Sequence, residues 1–322
     1  MLNFNVLSQA FPPKAKFTEA NVPDLTDKVC IVTGSNTGVG KEVARILYSK
    51  NASVYVACRT ESKAQSAIED IKTSQPSSKG KLTFLSLDLG DLPAVSKAAD
   101  QFLAQETKLD YLFNNAGVMM PGNGTKTKQG YEMQLGTNCV GPFLFTKKLT
   151  PLLQAAAKTS PAGSTRVMWV ASSAAEAFAP ACGVDLTNLD YHTWRPNAYQ
   201  YGVSKAGNYF QGMEYGRRFG DDGIISVSMN PGNLKSDLGR TAGLLGQNLH
   251  WLFSYPVVNG AYTELYAAFA PEVKNRDWVI PFGRQGTISK SLQENAKDES
   301  EGGKGTARKF WEWLEEQVKE YV

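Results

Sequence analysis

The chain has 322 residues, 42% hydrophobic and 20% charged, with a formal net charge of +3 and a pI near 8.5. That is enough chain for one large α/β domain with a full core. The mild charge, with no basic stripe, gives no case for a nucleic-acid partner. Two histidines, His192 and His250, argue against a histidine-built metal site or a Ser-His-Asp triad, so no metal is expected.

The four cysteines show no CxxC or metal-like spacing. They read as mostly buried thiols in a reducing compartment, which makes the expected location cytoplasmic. Residues 1–27 hold no apolar run of membrane-spanning or secretory type, and Pro12 and Pro13 predict an extended arm on the surface.

From residue 28 short Val/Ile/Leu runs alternate with helix-like segments. Strands are predicted at 28–34, 53–58, 81–89, 109–117, 164–172, 223–232 and 277–283. Helices are predicted at 38–50, with Val39, Val43, Ile46 and Leu47 on one face, and at 62–73, 92–106 and 131–157. A further helix carries "YGVSK" (201–205). Several strands are apolar almost throughout, as expected where both faces are covered. The fold class is α/β: a single doubly wound parallel sheet of Rossmann type, flanked by helices, spanning 28–285.

Residues 174–200 and 233–260 are long for connections and are expected to carry function. "DESEGGKG" (298–305) reads as mobile. Within the C-terminal extension, 286–322, the tail reads as a helix with Phe310, Leu314, Val318 and Tyr321 on one stripe, extended by Trp313. It docks on the body, joins a second copy, or lies on a membrane surface.

"TGSNTGVG" (33–40) follows the first strand and opens the first helix. Gly34 and Gly38 allow a tight turn and close approach to a pyrophosphate, and Gly40 allows close packing of helix on sheet. Ser35, Asn36, Thr37 and Val39 complete the cradle. A carboxylate at the end of the second strand would bind the ribose hydroxyls of NAD; this chain has Cys58 and then Arg59. A guanidinium pairs with a 2′-phosphate, so NADP(H) is the expected cofactor. The alternative for Arg59 is a solvated residue at a loop start.

Read together, these motifs resemble the short-chain dehydrogenase/reductase family. Asp88-Leu89 resembles its adenine-contacting segment, and "NNAG", with Asn115, Ala116 and Gly117, its fourth-strand signature. Asn138 matches its helix asparagine, and Tyr201 with Lys205 its YxxxK pair. "NPGNLKS" resembles the segment packing near the nicotinamide, with Pro231, Gly232, Leu234 and Ser236. Ser172 and Ser173 both end the fifth strand, and the family's pattern favours Ser173 as catalytic. The wording "TGSNTGVGKEVA", "YVACR" and "FNNAGVM" is most similar to the retinol-dehydrogenase-like and WW-domain-oxidoreductase-like branch.

The resemblance implies hydride transfer between NADP(H) and a small-molecule carbonyl or alcohol. Lys205 would lower the pKa of the Tyr201 phenol, which exchanges a proton with the substrate oxygen. Ser173 would hold that oxygen, and Lys205 would bind the nicotinamide ribose. Asn138 would hold a water linking Lys205 to solvent. The family often forms dimers or tetramers through helices near 131–157 and 199–219, so a homo-oligomer is open, although the tail could block it. Leu238, Leu244, Leu245, Leu249, Trp251, Leu252, Phe253 and Tyr255 line an apolar substrate pocket or form a helix on the core. Two rivals stay open: a dinucleotide-binding sensor that does not turn over, and a membrane-surface retinoid dehydrogenase.

Overall fold

Alternation of apolar side chains decides the sheet. Along Val29–Thr33, Val29 and Ile31 enter one core cluster while Cys30 and Val32 enter the other. Thr165–Val170 divides the same way, with Val167 and Trp169 against Met168 and Val170. A period of two with both faces apolar leaves such strands stable only between two helix layers.

The structure, a computed structural model, describes residues 8–235 and 254–322. Its strands are Val29–Thr33 (β1), Ser53–Cys58 (β2), Lys81–Ser86 (β3), Tyr111–Asn114 (β4), Thr165–Val170 (β5), Ile224–Met229 (β6), Trp278–Ile280 (β7) and Arg284–Gly286 (β8). Among the described residues they form one eight-stranded sheet in the order β3-β2-β1-β4-β5-β6-β7-β8. The pairings from β3 to β7 are parallel and that of β8 on β7 is antiparallel. The strand order reverses between β1 and β4, where open α/β sheets bind their ligands.

The principal helices are Gly38–Ser49 (α1), Glu61–Ser74 (α2), Leu92–Leu103 (α3), Gly141–Thr159 (α4), Ala174–Ala177 (α5), Asn197–Phe219 (α6), Val257–Phe269 (α7), Lys290–Ala296 (α8) and Thr306–Val318 (α9). One core cluster gathers α3, α4, α6 and α9, and the other α1 and α7.

The expected doubly wound sheet is present, with four corrections. The stretch 277–283 is a three-residue parallel strand whose continuation turns back through β8, so the edge is antiparallel. The strand predicted to run to 89 stops at Ser86, because its partner β2 ends at Cys58. Residues 298–305 form a tied turn: Asp298 and Glu301 make a capping box, and Arg276, Arg308 and Lys309 pair with the acids. The arm is more than surface chain, since Gln9, Val22 and Leu25 are buried.

The terminal helix docks on the body. Phe310, Leu314 and Val318 are buried, and Trp311 packs edge-on against Phe143 of α4, its ring centroid 4.7 Å away. Lys147 of α4 pairs with Glu315 at 2.9 Å. Among the described residues no helix is long and apolar enough to cross a membrane.

Candidate active site

The first βα turn requires its glycines. Gly34 (φ 70°) and Gly38 (φ 59°) adopt the left-handed region that other residues avoid. A Cβ on Gly40 would lie 2.5 Å from Asn115 Nδ2 and 2.9 Å from the Gly34 carbonyl oxygen. The loop is thus pressed against the end of β4. Asn115 Nδ2 donates to Thr33 O at 2.7 Å and Ala116 N to Thr33 Oγ1 at 2.9 Å. Ser35 is buried and donates to Val32 O at 2.7 Å, so its hydroxyl shapes the loop from within. Asn36 and Thr37 lead into α1, and Val39 packs at Gly260 of α7. A turn of this shape at a helix N-terminus fits a pyrophosphate.

Arg59 follows β2 directly and is exposed, with no ion pair among the described residues. It stands where the adenosine end of a dinucleotide would arrive on this fold. Asp88 follows β3, and its Oδ1 accepts from Gly90 N at 3.0 Å. Leu89 is buried, and its carbonyl approaches α4 so closely that a Cβ on Gly141 would lie 2.3 Å away.

The catalytic candidates converge at the C-terminal ends of β4 and β5. Tyr201 and Lys205, one turn apart in α6, are both buried. Gly202 makes this possible: a Cβ there would lie 2.5 Å from Ala179 N, so α6 rests directly on the chain leaving α5. Lys205 Nζ donates to Val170 O at 2.8 Å and sits 5.8 Å from the Tyr201 ring centroid. A Cβ on Gly117 would lie 3.2 Å from Asn138 Oδ1 and 3.4 Å from Lys205 Nζ, so "NNAG", Asn138 and Lys205 meet at one point.

Ser172 stands close enough to the Tyr201 phenol for its side chain to draw the phenol's pKa down. The backbone of Ser173 has already turned helical (φ −58°, ψ −17°) as the residue that opens α5, while Ser172 Oγ accepts from Ala174 N at 3.1 Å.

Burial raises the Tyr201 pKa, and the Ser172 side chain opposes the rise. Burial also pushes Lys205 itself down to about 8, against the pull of Cys139 and Glu264. Proton affinities of phenol and amine are thereby both displaced, as functional sites often require.

Asn138 lies in a π-turn, Gly136–Val140, preceding α4. Its Oδ1 accepts from Val118 N at 2.8 Å, and its Nδ2 donates to Val118 O at 3.0 Å and Ser204 Oγ at 2.9 Å. Its carbonyl accepts from Asn208 Nδ2 at 2.6 Å. Ser204 in turn donates to Tyr201 O at 2.8 Å. Ser204 and Asn208 went unnoticed in the sequence, although they lie three and seven residues after Tyr201, on its side of the helix.

Beyond β6, Pro231 and Gly232 (φ 99°) turn under Pro281 and Phe282. Leu234 bridges to Tyr255, with Tyr255 N donating to Asn233 O at 2.8 Å and Lys235 N to Tyr255 O at 2.9 Å. The two ends of the intervening segment are thus held side by side. Ser236, Leu238, Leu244, Leu245, Leu249, Trp251, Leu252 and Phe253 lie outside the described residues.

A switch-point sheet with a glycine cradle and a Ser-Tyr-Lys group, its tyrosine and lysine buried, defines a Rossmann-type dinucleotide-dependent oxidoreductase. Comparison with known proteins agrees. The family model for short chain dehydrogenase matches residues 28–182. A short-chain dehydrogenase/reductase of Phomopsis amygdali is 49% identical over 326 residues, covering 99% of this chain and 97% of that protein. One of Emericella nidulans is 44% identical, covering 95% and 97%. The chain belongs to the short-chain dehydrogenase/reductase family. Among solved structures, an uncharacterised protein of Mycobacterium paratuberculosis shares the fold at TM-score 0.70 and 24% identity, covering 95% of this chain and 98% of that one. An NADPH-bound carbonyl reductase from chicken fatty liver shares it at 0.59 and 21%, covering 79% and 96%.

Proposed function

We propose that this protein is an NADP(H)-dependent reductase that interconverts a carbonyl and a secondary alcohol on a small apolar molecule. The observation that carries the reading is the meeting of the buried Tyr201 and Lys205 with the serines that end β5, Ser172 within reach of the phenol. A hydroxyl pair beside a cation suits an oxygen that gains negative charge as its carbon is reduced.

Arg59 supports the phosphorylated cofactor. Its guanidinium is exposed at the end of β2, where an acid would serve NAD. Gly34, Ser35, Asn36, Thr37, Gly38, Val39 and Gly40 would hold the pyrophosphate. Asp88, Leu89, Asn115, Ala116 and Gly117 would flank the adenosine half and the central bridge. Lys205 would bind the nicotinamide ribose, and Pro231, Gly232, Leu234 and Ser236 would pack at the nicotinamide end. The cofactor, when bound, supplies the hydride.

Tyr201 then donates its proton to the substrate oxygen in the reducing direction, and Ser172 holds that oxygen in line. Because burial raises the phenol, Tyr201 is a proton carrier at neutral pH; loss of that proton requires a positive charge brought close to it. Asn138 holds Ser204 and the Val118 backbone, fixing the floor on which Lys205 stands. The absence of any Asp, Glu, Lys or Arg between Arg240 and Glu264 supports an apolar substrate. The apolar stripe of α9 is turned inward, which leaves it little to offer a membrane surface.

The test is NADPH oxidation across a panel of bulky ketones and aldehydes. Turnover should be found, and Tyr201→Phe should lower kcat by roughly 10²–10⁴-fold with NADPH still bound. Arg59→Ala should weaken NADPH roughly 10–100-fold and leave NADH nearly unchanged. NADPH binding without turnover of any carbonyl, in wild type, would mark a sensor and sink the proposal.

A further inference from the structure

Gln9 lies outside the segment that the family model covers, yet it is buried, at 3% exposure. Its Nε2 donates to Glu176 Oε2 at 3.1 Å, and its Oε1 accepts from Asn230 Nδ2 at 2.9 Å. These partners belong to opposite walls of the site. Glu176 lies in α5, one turn beyond Ser172. Asn230 precedes Pro231, and its Oδ1 accepts from Gly232 N at 3.0 Å, which fixes the turn.

The chain around Gln9 is anchored independently. Arg284 Nη2 donates to Ser8 O at 2.9 Å and Ser8 Oγ at 3.1 Å, while its Nε donates to Pro281 O at 2.7 Å. Pro281 packs over Gly232, where a Cβ would lie 3.1 Å from the ring. One amide that donates at one end and accepts at the other is satisfied only while both partners hold their places. Losing either leaves a buried polar group unpaired, which proteins avoid.

We propose that Gln9 is a positioning residue: residues 8–10 act as a strap that ties the segment carrying Ser172 to the turn carrying Pro231 and Gly232. The strap sets the distance between the hydroxyl pair and the nicotinamide side of the site, and its catalytic consequence rests on the reductase reading above. The amide is suited to this because it is neutral, bifunctional and shielded from water, so its geometry does not vary with ionic strength.

The test uses the full chain with Gln9→Ala, Gln9→Glu and the double change Gln9→Glu with Glu176→Gln. Glutamate at position 9 still accepts from Asn230, but sets two carboxylates against each other. Glutamine at 176 then returns the missing donor from the other side. Amide hydrogen exchange at residues 172–177 and 230–232 reads the strap without relying on activity. Exchange in both segments should rise on the order of tenfold in each single variant and return toward wild type in the double variant. In parallel, kcat should fall about tenfold with KM for NADPH within about twofold, again restored by the double change.

Unchanged exchange in Gln9→Ala overturns the strap. Raised exchange with a wild-type kcat overturns the positioning role and leaves Gln9 a stabilising contact. Wild type that turns over no carbonyl, with the exchange pattern as expected, sinks the reductase reading and leaves the strap standing.

Discussion

Ser172 and Ser173 show how much one residue of register decides. Both follow a buried strand, and nothing in "VASSAA" separates them chemically. The separation comes from the backbone, which becomes helical at Ser173 and leaves Ser172 within reach of the Tyr201 phenol. Ser172→Ala should lower kcat roughly 10²–10³-fold, the loss expected for one donor to a developing oxyanion, while Ser173→Ala should change it by less than about threefold. Steady-state kinetics on one carbonyl substrate checks both; equal losses would return the role to Ser173. Ser204 and Asn208 were hidden for a similar reason. Their roles come from a meeting of two helices far apart in sequence, which no local spacing announces.

At the scale of elements, α7 carries a costly group. Glu264 is fully buried, with both carboxylate oxygens lacking a hydrogen-bond partner among the described residues. Burial raises its pKa to about 8, against the pull of Lys205. The unfolded chain gives up this proton near 4.5, so between about 4.5 and 8 the folded state holds more protons than the unfolded one, and stability falls as pH rises. Glu264→Gln should therefore raise Tm by at least about 2 °C at pH 8, with the gain shrinking toward zero near pH 4.5. Calorimetry across that range tests it; a gain independent of pH would mean the effect is packing. The strands from β1 to β6 were legible because burial on both faces writes near-continuous apolar runs. β8 was not, since "RQG" on a sheet edge carries no apolar pattern. The turn at 298–305 was misjudged because its polarity serves capping and ion pairs, and composition alone does not distinguish those from solvation. The glycine cradle was readable because its backbone angles and close approaches admit little else.

Over the whole molecule, α9 determines which surfaces remain open. It covers α4 and α6 through Phe310, Trp311 and Leu314, with Arg218 of α6 5.0 Å from the Trp311 ring. Those are the helices through which the family's resemblance implied oligomers. The protein should therefore run as a monomer of 35.1 kDa by light scattering at micromolar concentration. Removing residues 306–322 should lower its stability and drive self-association, because it would bare a contiguous apolar face. A wild-type dimer would show that another surface has taken over assembly. The bridge between Leu234 and Tyr255 carries a different consequence. Residues 233–235 and 255 meet at a single point, so the sheet is joined to the stretch between them only through this contact. Lengthening a stretch between two ends held together costs only slowly growing loop entropy. A transplanted stretch from a relative could thus re-tailor which compounds are accepted while the reducing machinery stays as it is.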